Sequence, residues 1–571
     1  MSKIKELENY VKDVLLSLNY EIDNVVFEDC SIPLLGQFQL NFAMGLAKKY
    51  GKNPRDIASE VVSKLDSRFT SINVAGPGFI NFKLSDEFLI SYANEYIESF
   101  EKNIDYEEKK TIIVDYGGAN AAKALHVGHM RSANIGEANK RLIKLFGHHV
   151  ISDVHLGDLG RQAGMLISEL MVEQPNLPFF NKDYKGPYPK INLTKDDLGR
   201  MYPKASMAAK SSEERMEQVR EITAEIDRGN ASYTELWRQI VDISKPLIKE
   251  VYDKLNCTFD LWNGELSSMQ YVDDTMKIMK NYLYESEGAL VIDVKEESDK
   301  TEIPPLIVIK SNGTTVYGTR DLATLYERVK EYNPSEIWYF TDQRQALYFE
   351  QVFRASYKTG LVNSSTKLKH FGFGTINGAD GKPYKTRDGG VMELSSLISL
   401  LRAEVLKKVK EENNNEETVE KITIATLKYS DLLPFREIDY IFDPIKFASL
   451  EGKTGPYILY SIVRIKSVLK KTDISNAKFK NIFNDDIRNI LVLLLKLPKI
   501  LTRSYKDAAP SYIADYVYDL ASLFNKFYGS TNIINEKEEI NKETSVALLK
   551  FVYSILHNLL YILAIDEVEK M

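Results

Sequence analysis

An apolar run, Thr111-Ile112-Ile113-Val114-Asp115-Tyr116, is followed shortly by His126-Val127-Gly128-His129 and then by a helical pattern ending at Phe146, before Gly147. A short β-branched run of this kind reads as a buried strand, and the pattern after it as the helix that crosses back over a parallel sheet. The start of such a helix carries free backbone N–H groups and a partial positive charge, so phosphate binds there readily. His126 and His129, three residues apart, share one helical face and can point at the same phosphate, while Gly128 lets a flat base or ribose approach the backbone. Five of the seven histidines (126, 129, 148, 149 and 155) fall in this region, which favours a nucleotide site over scattered core histidines.

The rest of the chain divides around this feature. At 571 residues it is too long for one core, and three domains are expected. Residues 1–108 read as an α+β unit with helices over Ile4–Leu18, Gln39–Tyr50 and Asn53–Leu65, then a turn feeding a strand over Val74–Phe82. Residues 109–401 alternate strand and helix patterns, which predicts a doubly wound, Rossmann-like parallel sheet; the polar, Lys- and Glu-rich stretch 175–235 reads as an insertion, partly helical. Residues 402–571 read as an α-helical bundle without a strand signal, clearest over Ser511–Tyr528. The first twenty residues form a charged amphipathic helix rather than a signal peptide, and the most apolar run, Ile490–Leu495, is stopped by Lys496 and Pro498, far short of a membrane span. Only Cys30 and Cys257 are present, which argues against a disulfide framework or a cysteine zinc site and fits the cytosol. With a net charge of −7, nucleic-acid contact must come from local basic patches.

Several residues suggest chemistry. Lys385 and Arg387 sit between Gly378/Gly381 and Gly389-Gly390, a cationic arm able to close over phosphates; taken alone, the same stretch reads as a solvated hairpin. Tyr317 and Asp321, four apart at a helix start, can grip one ligand, although Asp321 alone also reads as a helix N-terminal charge. Asp115 ends the first strand, where doubly wound sheets bind ligands. Tyr457, Tyr460, Arg464, Lys466, Lys470 and Lys471 alternate aromatics with cations, suited to unstacked bases and phosphates, or to a helix with a half-buried aromatic side and a solvated charged one. No serine or cysteine nucleophile signature is visible.

With these residues in view the chain resembles the arginyl-tRNA synthetases, a class I aminoacyl-tRNA synthetase family. The resemblance is carried by an ordered series: Gly36–Asn41, Val74–Phe82, Asn120–Ser132 with its HxGH, His155–Gly164, Tyr317–Asp321, Gly381–Gly390, and Thr454–Tyr457 with Tyr460 and Arg464. Three positions depart from the family pattern: Ala119 stands for Pro, Leu159 for Trp, and the KMSKS loop survives only as Tyr384-Lys385-Thr386-Arg387. The resemblance implies that Lys123 stands in for the missing loop lysine; read alone, it is as readily a surface lysine.

The implied reaction is attack of the arginine carboxylate on the α-phosphate of ATP, then transfer to the terminal adenosine of tRNA-Arg. Neither step needs a protein nucleophile; positioning and charge stabilisation can carry the rate. His126, His129, Lys123, Lys385 and Arg387 are the expected catalytic residues; His126, Gly128, His129, Lys385 and Thr386 the ATP contacts. By resemblance, Asp115, Tyr317 and Asp321 hold the guanidinium, Asn120 and Gln345 fix the α-amino and carboxylate groups, and Asp158 and Gln162 organise the site or the tRNA end, or serve the structure. Tyr457, Tyr460 and Arg464 are the expected tRNA contacts. ATP is expected to carry Mg²⁺; no zinc, no protein-held metal and no membrane partner are expected, and the assembly is expected to be a cytoplasmic monomer. The resemblance also implies that arginine activation needs bound tRNA and that the N-terminal domain touches the tRNA corner. No hydrolytic editing domain is evident, and a site built around a guanidinium can discriminate by about 10⁴ without one. Two rivals remain at this stage: a class I ligase for another amino acid, and an inactive paralogue that binds RNA.

Overall fold

The computed structural model describes residues 1–571 apart from 312, 314, 385–391, 410–414 and 473. The chain forms two compact units, one of residues 108–407 and 430–448, the other of 1–107, 408–429 and 449–571.

The first unit is built on a four-stranded parallel sheet in the order Lys367–His370, Glu336–Tyr339, Thr111–Asp115, His149–Asp153. Ile112, Ile113 and Val114 are wholly buried, as a central parallel strand covered on both faces requires. From Thr111–Asp115 the chain winds one way, through helix Val127–Leu145 to His149–Asp153. It later returns on the other side as Glu336–Tyr339, then helix Ala346–Thr359, then Lys367–His370. The order therefore reverses between Thr111–Asp115 and Glu336–Tyr339, and a crevice opens at their carboxyl ends. Helix Tyr317–Tyr332 packs beside it, with Leu322 and Leu325 in one core with Ile113, Ile337, Val352 and Phe353.

Close packing under the signature helix depends on one residue. A Cβ on Gly136 would lie 2.2 Å from Cγ of the buried Tyr116, whose hydroxyl donates to Glu137 (2.7 Å). The insertion consists of helices Lys195–Ser211 and Glu213–Asp227 leading into Ala231–Lys254, with a small core of Met165, Ala205, Ala209 and Val219. In sequence, between the strands of the two halves, the chain forms a separate antiparallel three-stranded sheet, Leu283–Ser286, Ala289–Ile292 and Leu306–Ile309, which simple alternation does not predict.

The second unit begins with helix Lys3–Ser17, followed by an antiparallel sheet ordered Glu28–Asp29, Phe38–Leu40, Phe79–Leu84, Phe69–Ala75, sealed by Phe27, Phe38, Phe69 and Phe82. The expected helix Gln39–Tyr50 is corrected here: Phe38–Leu40 is a strand whose alternate residues face the core, and the helix starts at Ala43. The remainder is helical. Glu539–Ile562 is long and apolar enough to cross a membrane, but 67% of its most apolar window is buried inside the protein, as in a core helix. The reading of residues 402–571 as strand-free is also corrected. Tyr440–Ile441 pairs in parallel with Ile376–Asn377, two residues being too few to show a period in sequence. The expected boundary at 401/402 falls inside helix Leu394–Leu406.

Gly136→Ala should force Tyr116 and the signature helix apart and cost roughly 1–3 kcal/mol of stability. A lowered urea midpoint with an unchanged slope would show it.

Candidate active site

The signature histidines are set by their own backbone. His126 is the N-cap of helix Val127–Leu145, and its Nδ1 accepts from the Gly128 N–H at 3.1 Å. The His126 N–H in turn donates to His129 Nδ1 at 3.1 Å, and the two rings stack with centroids 3.6 Å apart. A ring nitrogen that accepts carries no proton, so both imidazoles hold theirs on Nε2. Burial, with Lys123 nearby, pushes His126 down to about 4. Burial, His126 and Lys123 push His129 well below the ordinary histidine value. Both rings are neutral donors at pH 7.

The free backbone donors expected for phosphate are not found at Val127, Gly128 or His129. The backbone groups at this helix start are not free: the Val127 N–H donates to the Met392 carbonyl (3.3 Å), Gly128 to His126, and His129 to the His126 carbonyl (3.0 Å). What is left for an anion is the His126 Nε2–H, the His129 Nε2–H if it leaves Asn120, and the field of the helix dipole. A Cβ on Gly128 would sit 3.1 Å from the His126 ring, so the glycine serves this cap as well as any ligand.

Asn120 connects the pair to the next motif. Its Nδ2 lies 3.4 Å from His129 Nε2, and its Oδ1 accepts from Gln162 at 3.2 Å. With the proton on His129 Nε2, a half-turn of both amides satisfies the chain: Asn120 presents its oxygen to that ring and its Nδ2 to the Gln162 side-chain oxygen. Asp158 is buried and accepts from the Leu266 N–H (2.8 Å) at the start of the short helix Glu265–Ser268, a structural use of that carboxylate.

Lys385, Thr386 and Arg387 lie outside the described residues. Both flanks of their segment are placed: the Tyr384 N–H donates to the Ile376 carbonyl, and Met392 to the Tyr384 carbonyl. Glu393 bridges to His126, and the Leu394 N–H donates to the Leu125 carbonyl. Met392, Glu393 and Leu394, which follow the segment, therefore lie beside the signature. Lys123 is exposed.

At the crevice between the central strands lies a cavity of about 120 Å³, lined by Asp115, Gly118, His155, Asp321, Thr324 and Tyr339 among others. Asp321 accepts from the Tyr348 hydroxyl, and burial pushes its carboxyl up. Asp115 is not a free carboxylate: Arg328 Nη2 donates to its Oδ2 at 2.6 Å and to Asp153 Oδ2 at 2.8 Å. The expected guanidinium-binding set is thus only partly brought together. Asp115 and Asp321 share the cavity, whereas Tyr317 is 61% exposed at the start of the same helix. Gln345 is exposed on the turn Gln343–Gln345 that follows the second central strand.

Three charged residues here escaped the sequence reading. Arg328 stands two turns after Asp321, a spacing that could have revealed it. His155 belongs to the counted histidine cluster but carried no role. Glu265, held by Arg320 at 2.8 Å, is pushed up to about 7, chiefly by burial and against the pull of Arg320, with Asp321 adding to the rise.

In the helical part of the other unit, Tyr457 contacts Tyr518 (5.5 Å). Arg464 donates to Asn525 (2.9 Å) and lies over the rings of Tyr460 (4.3 Å) and Tyr528 (5.4 Å). A cavity of about 360 Å³ lies alongside, lined by Val468 and residues 528–534. Lys466 and Lys470 are not open cations: Glu567 and Glu569 pair with them at 2.6–2.9 Å.

Comparison with known proteins agrees with this layout. Residues 94–444 match the family model described as tRNA synthetases class I (R), catalytic domain; residues 458–571 match the DALR anticodon binding domain, and residues 5–84 the arginyl tRNA synthetase N terminal domain. The chain is 43% identical to the arginine–tRNA ligase of Alkaliphilus oremlandii, covering 100% of this chain and 99% of the relative. It is also 43% identical to that of Agathobacter rectalis, covering 94% of each. Among solved structures it is similar in fold to the arginyl-tRNA synthetases of Plasmodium falciparum (TM-score 0.80, 23% identity, 100% and 99% covered) and Thermus thermophilus (TM-score 0.78, 20% identity, 100% of each).

The ring of His126 should titrate near pH 4. The sign follows from linkage: an unfolded histidine binds a proton near pH 6.5 that the folded ring refuses, so stability falls as pH drops from about 6.5 toward 4. Histidine-selective NMR through that range checks both the site and the direction.

Proposed function

The chain belongs to the arginyl-tRNA synthetase family, and from that premise we propose how its residues divide the work of joining arginine to tRNA at the expense of ATP. The observation that carries the reading is the acidic cavity at the carboxyl ends of the central strands, in the same unit as the stacked imidazoles.

Asp321 is the principal acceptor for the arginine guanidinium, with Glu265 and Tyr317 beside it. Asp115 contributes through the oxygen that Arg328 leaves open. Asn120, one contact from His129, and Gln345 would hold the amino and carboxylate ends near the α-phosphate. The carboxylate oxygen then forms a bond to the α-phosphorus as the bond to pyrophosphate breaks. His126 donates its Nε2–H to a phosphate oxygen as charge accumulates, and His129 does so by exchanging the Asn120 oxygen for phosphate; neutral donors held by the backbone need little reorganisation during the step. Lys385 and Arg387, reaching from a segment whose C-terminal flank lies beside His126, would balance the β- and γ-phosphates, with Thr386 and Lys123 assisting. In the second step a ribose hydroxyl of the tRNA terminus attacks the carbonyl and AMP leaves; Gln162, through Asn120, would keep the acceptor end in register. Tyr457, Tyr460 and Arg464 would stack and pair with unstacked anticodon bases. We further propose a cytoplasmic monomer, with Mg²⁺ carried in on the nucleotide's phosphates.

Charging unfractionated tRNA with each labelled amino acid should incorporate arginine alone; preferential incorporation of any other would overturn the assignment. His126→Asn, which can still cap the helix, should slow tRNA-dependent ATP–pyrophosphate exchange by about 10²–10³-fold. Asp321→Asn should raise KM for arginine by about 10²-fold while KM for ATP changes little, because it removes one side of a desolvated charge pair.

A further inference from the structure

His155 is a histidine in a place that histidines seldom occupy. Its backbone has φ +39°, in the left-handed region, held there as its N–H donates to Asp153 Oδ1 at 3.1 Å. The ring lines the acidic cavity with Asp115 and Asp321. Its Nδ1 is buried and has no hydrogen-bond partner; the nearest carboxylate oxygen, Asp153 Oδ2, is 4.0 Å away. A buried polar nitrogen facing a ligand cavity without a partner is uncommon and asks for a role.

The charges around it supply one. From the strands, Asp115 and Asp153 act on the ring and Tyr339 lines the same cavity; from helix Tyr317–Tyr332, Asp321, Glu327 and Arg328 act on it. Asp158 on its own loop and Glu265 on the short helix complete the set. Two carboxylates, Asp115 and Asp321, line the cavity with the ring; behind them Arg328 bridges Asp115 to Asp153. Burial favours the neutral imidazole and Arg328 adds to that, but Asp115, Asp153 and Asp321 outweigh both and the ring holds its proton more tightly than usual. The carboxylates thus bias the ring toward its charged form beside the cavity.

We infer that His155 is a specificity-determining residue of the arginine pocket: an imidazolium that balances the carboxylates of the empty cavity and gives up its proton when the substrate guanidinium takes over that charge. Net charge in the cavity is then the same before and after binding, and the neutral ring offers a lone pair to a guanidinium N–H. An uncharged amino acid cannot displace the proton without leaving a carboxylate uncompensated, so the exchange selects for a cationic side chain. This rests on the reading that the cavity of Asp321 takes the guanidinium.

The test is calorimetric titration of the full-length protein with L-arginine near pH 7 in buffers of differing ionisation enthalpy. The expected result is net proton release on binding, and an apparent Kd that rises by up to about ten-fold per unit as pH falls below the titration of His155. His155→Asn, compatible with the left-handed backbone, should abolish the release and flatten the pH dependence. Should that variant fold poorly, histidine-selective NMR of the unaltered protein substitutes: the His155 resonance should shift from protonated to neutral when L-arginine is added. Equal proton release with and without His155, or an unchanged resonance, overturns the proposal. Asp321→Asn separates the two levels. If it binds arginine as tightly as the parent, the pocket assignment fails and this inference with it. If it loses affinity while the His155 readouts stay flat, only the inference fails.

Discussion

One guanidinium holds the site's geometry together. Asp115 and Asp153 are register partners at the carboxyl ends of adjacent parallel strands, where two carboxylates side by side would repel. Arg328 donates to both and lies over the ring of Tyr339, the partner of Asp115 on the other flank. Removing one member of such a buried cluster strands the others and typically costs about 3–5 kcal/mol. The same interaction ties helix Tyr317–Tyr332 to the sheet, and with it Asp321.

The second fixed point is the self-capped signature helix. Its imidazoles owe tautomer, stacking and neutrality to backbone hydrogen bonds and burial. Arg131, one turn on, donates to the carbonyls of Arg436 and Ile438, and Asn134 to Asp431, so residues 430–448 are bound to this helix. That segment pairs Tyr440–Ile441 with Ile376–Asn377, immediately before the stretch carrying Lys385 and Arg387. The stacked imidazoles and the strand pair Ile376–Asn377 with Tyr440–Ile441 are thus tied to a single helix.

Much of this was legible in the chain and some was not, for physical reasons. The parallel sheet was readable because Ile112–Val114 is an unbroken apolar run, and the signature helix because its limits coincide with a capping histidine and Gly147. Phe38–Leu40 was misread because three residues cannot separate a strand from the start of the helix after it. The engagement of Asp115 by Arg328 was invisible because it joins residues 213 apart in sequence. His155 was counted but not understood, since its significance lies in a backbone angle and a missing partner, neither of which spacing can encode.

The pairing of Lys466 and Lys470 with Glu567 and Glu569 changes how an RNA would meet that helix. A bare lysine trades condensed counterions for phosphate, and the freed ions steepen the dependence of affinity on salt. Here the incoming polyanion must evict carboxylates already in place, exchanging one fixed anion for another. Were RNA to bind on this helix, each of these lysines would contribute less ionic sensitivity than its charge suggests.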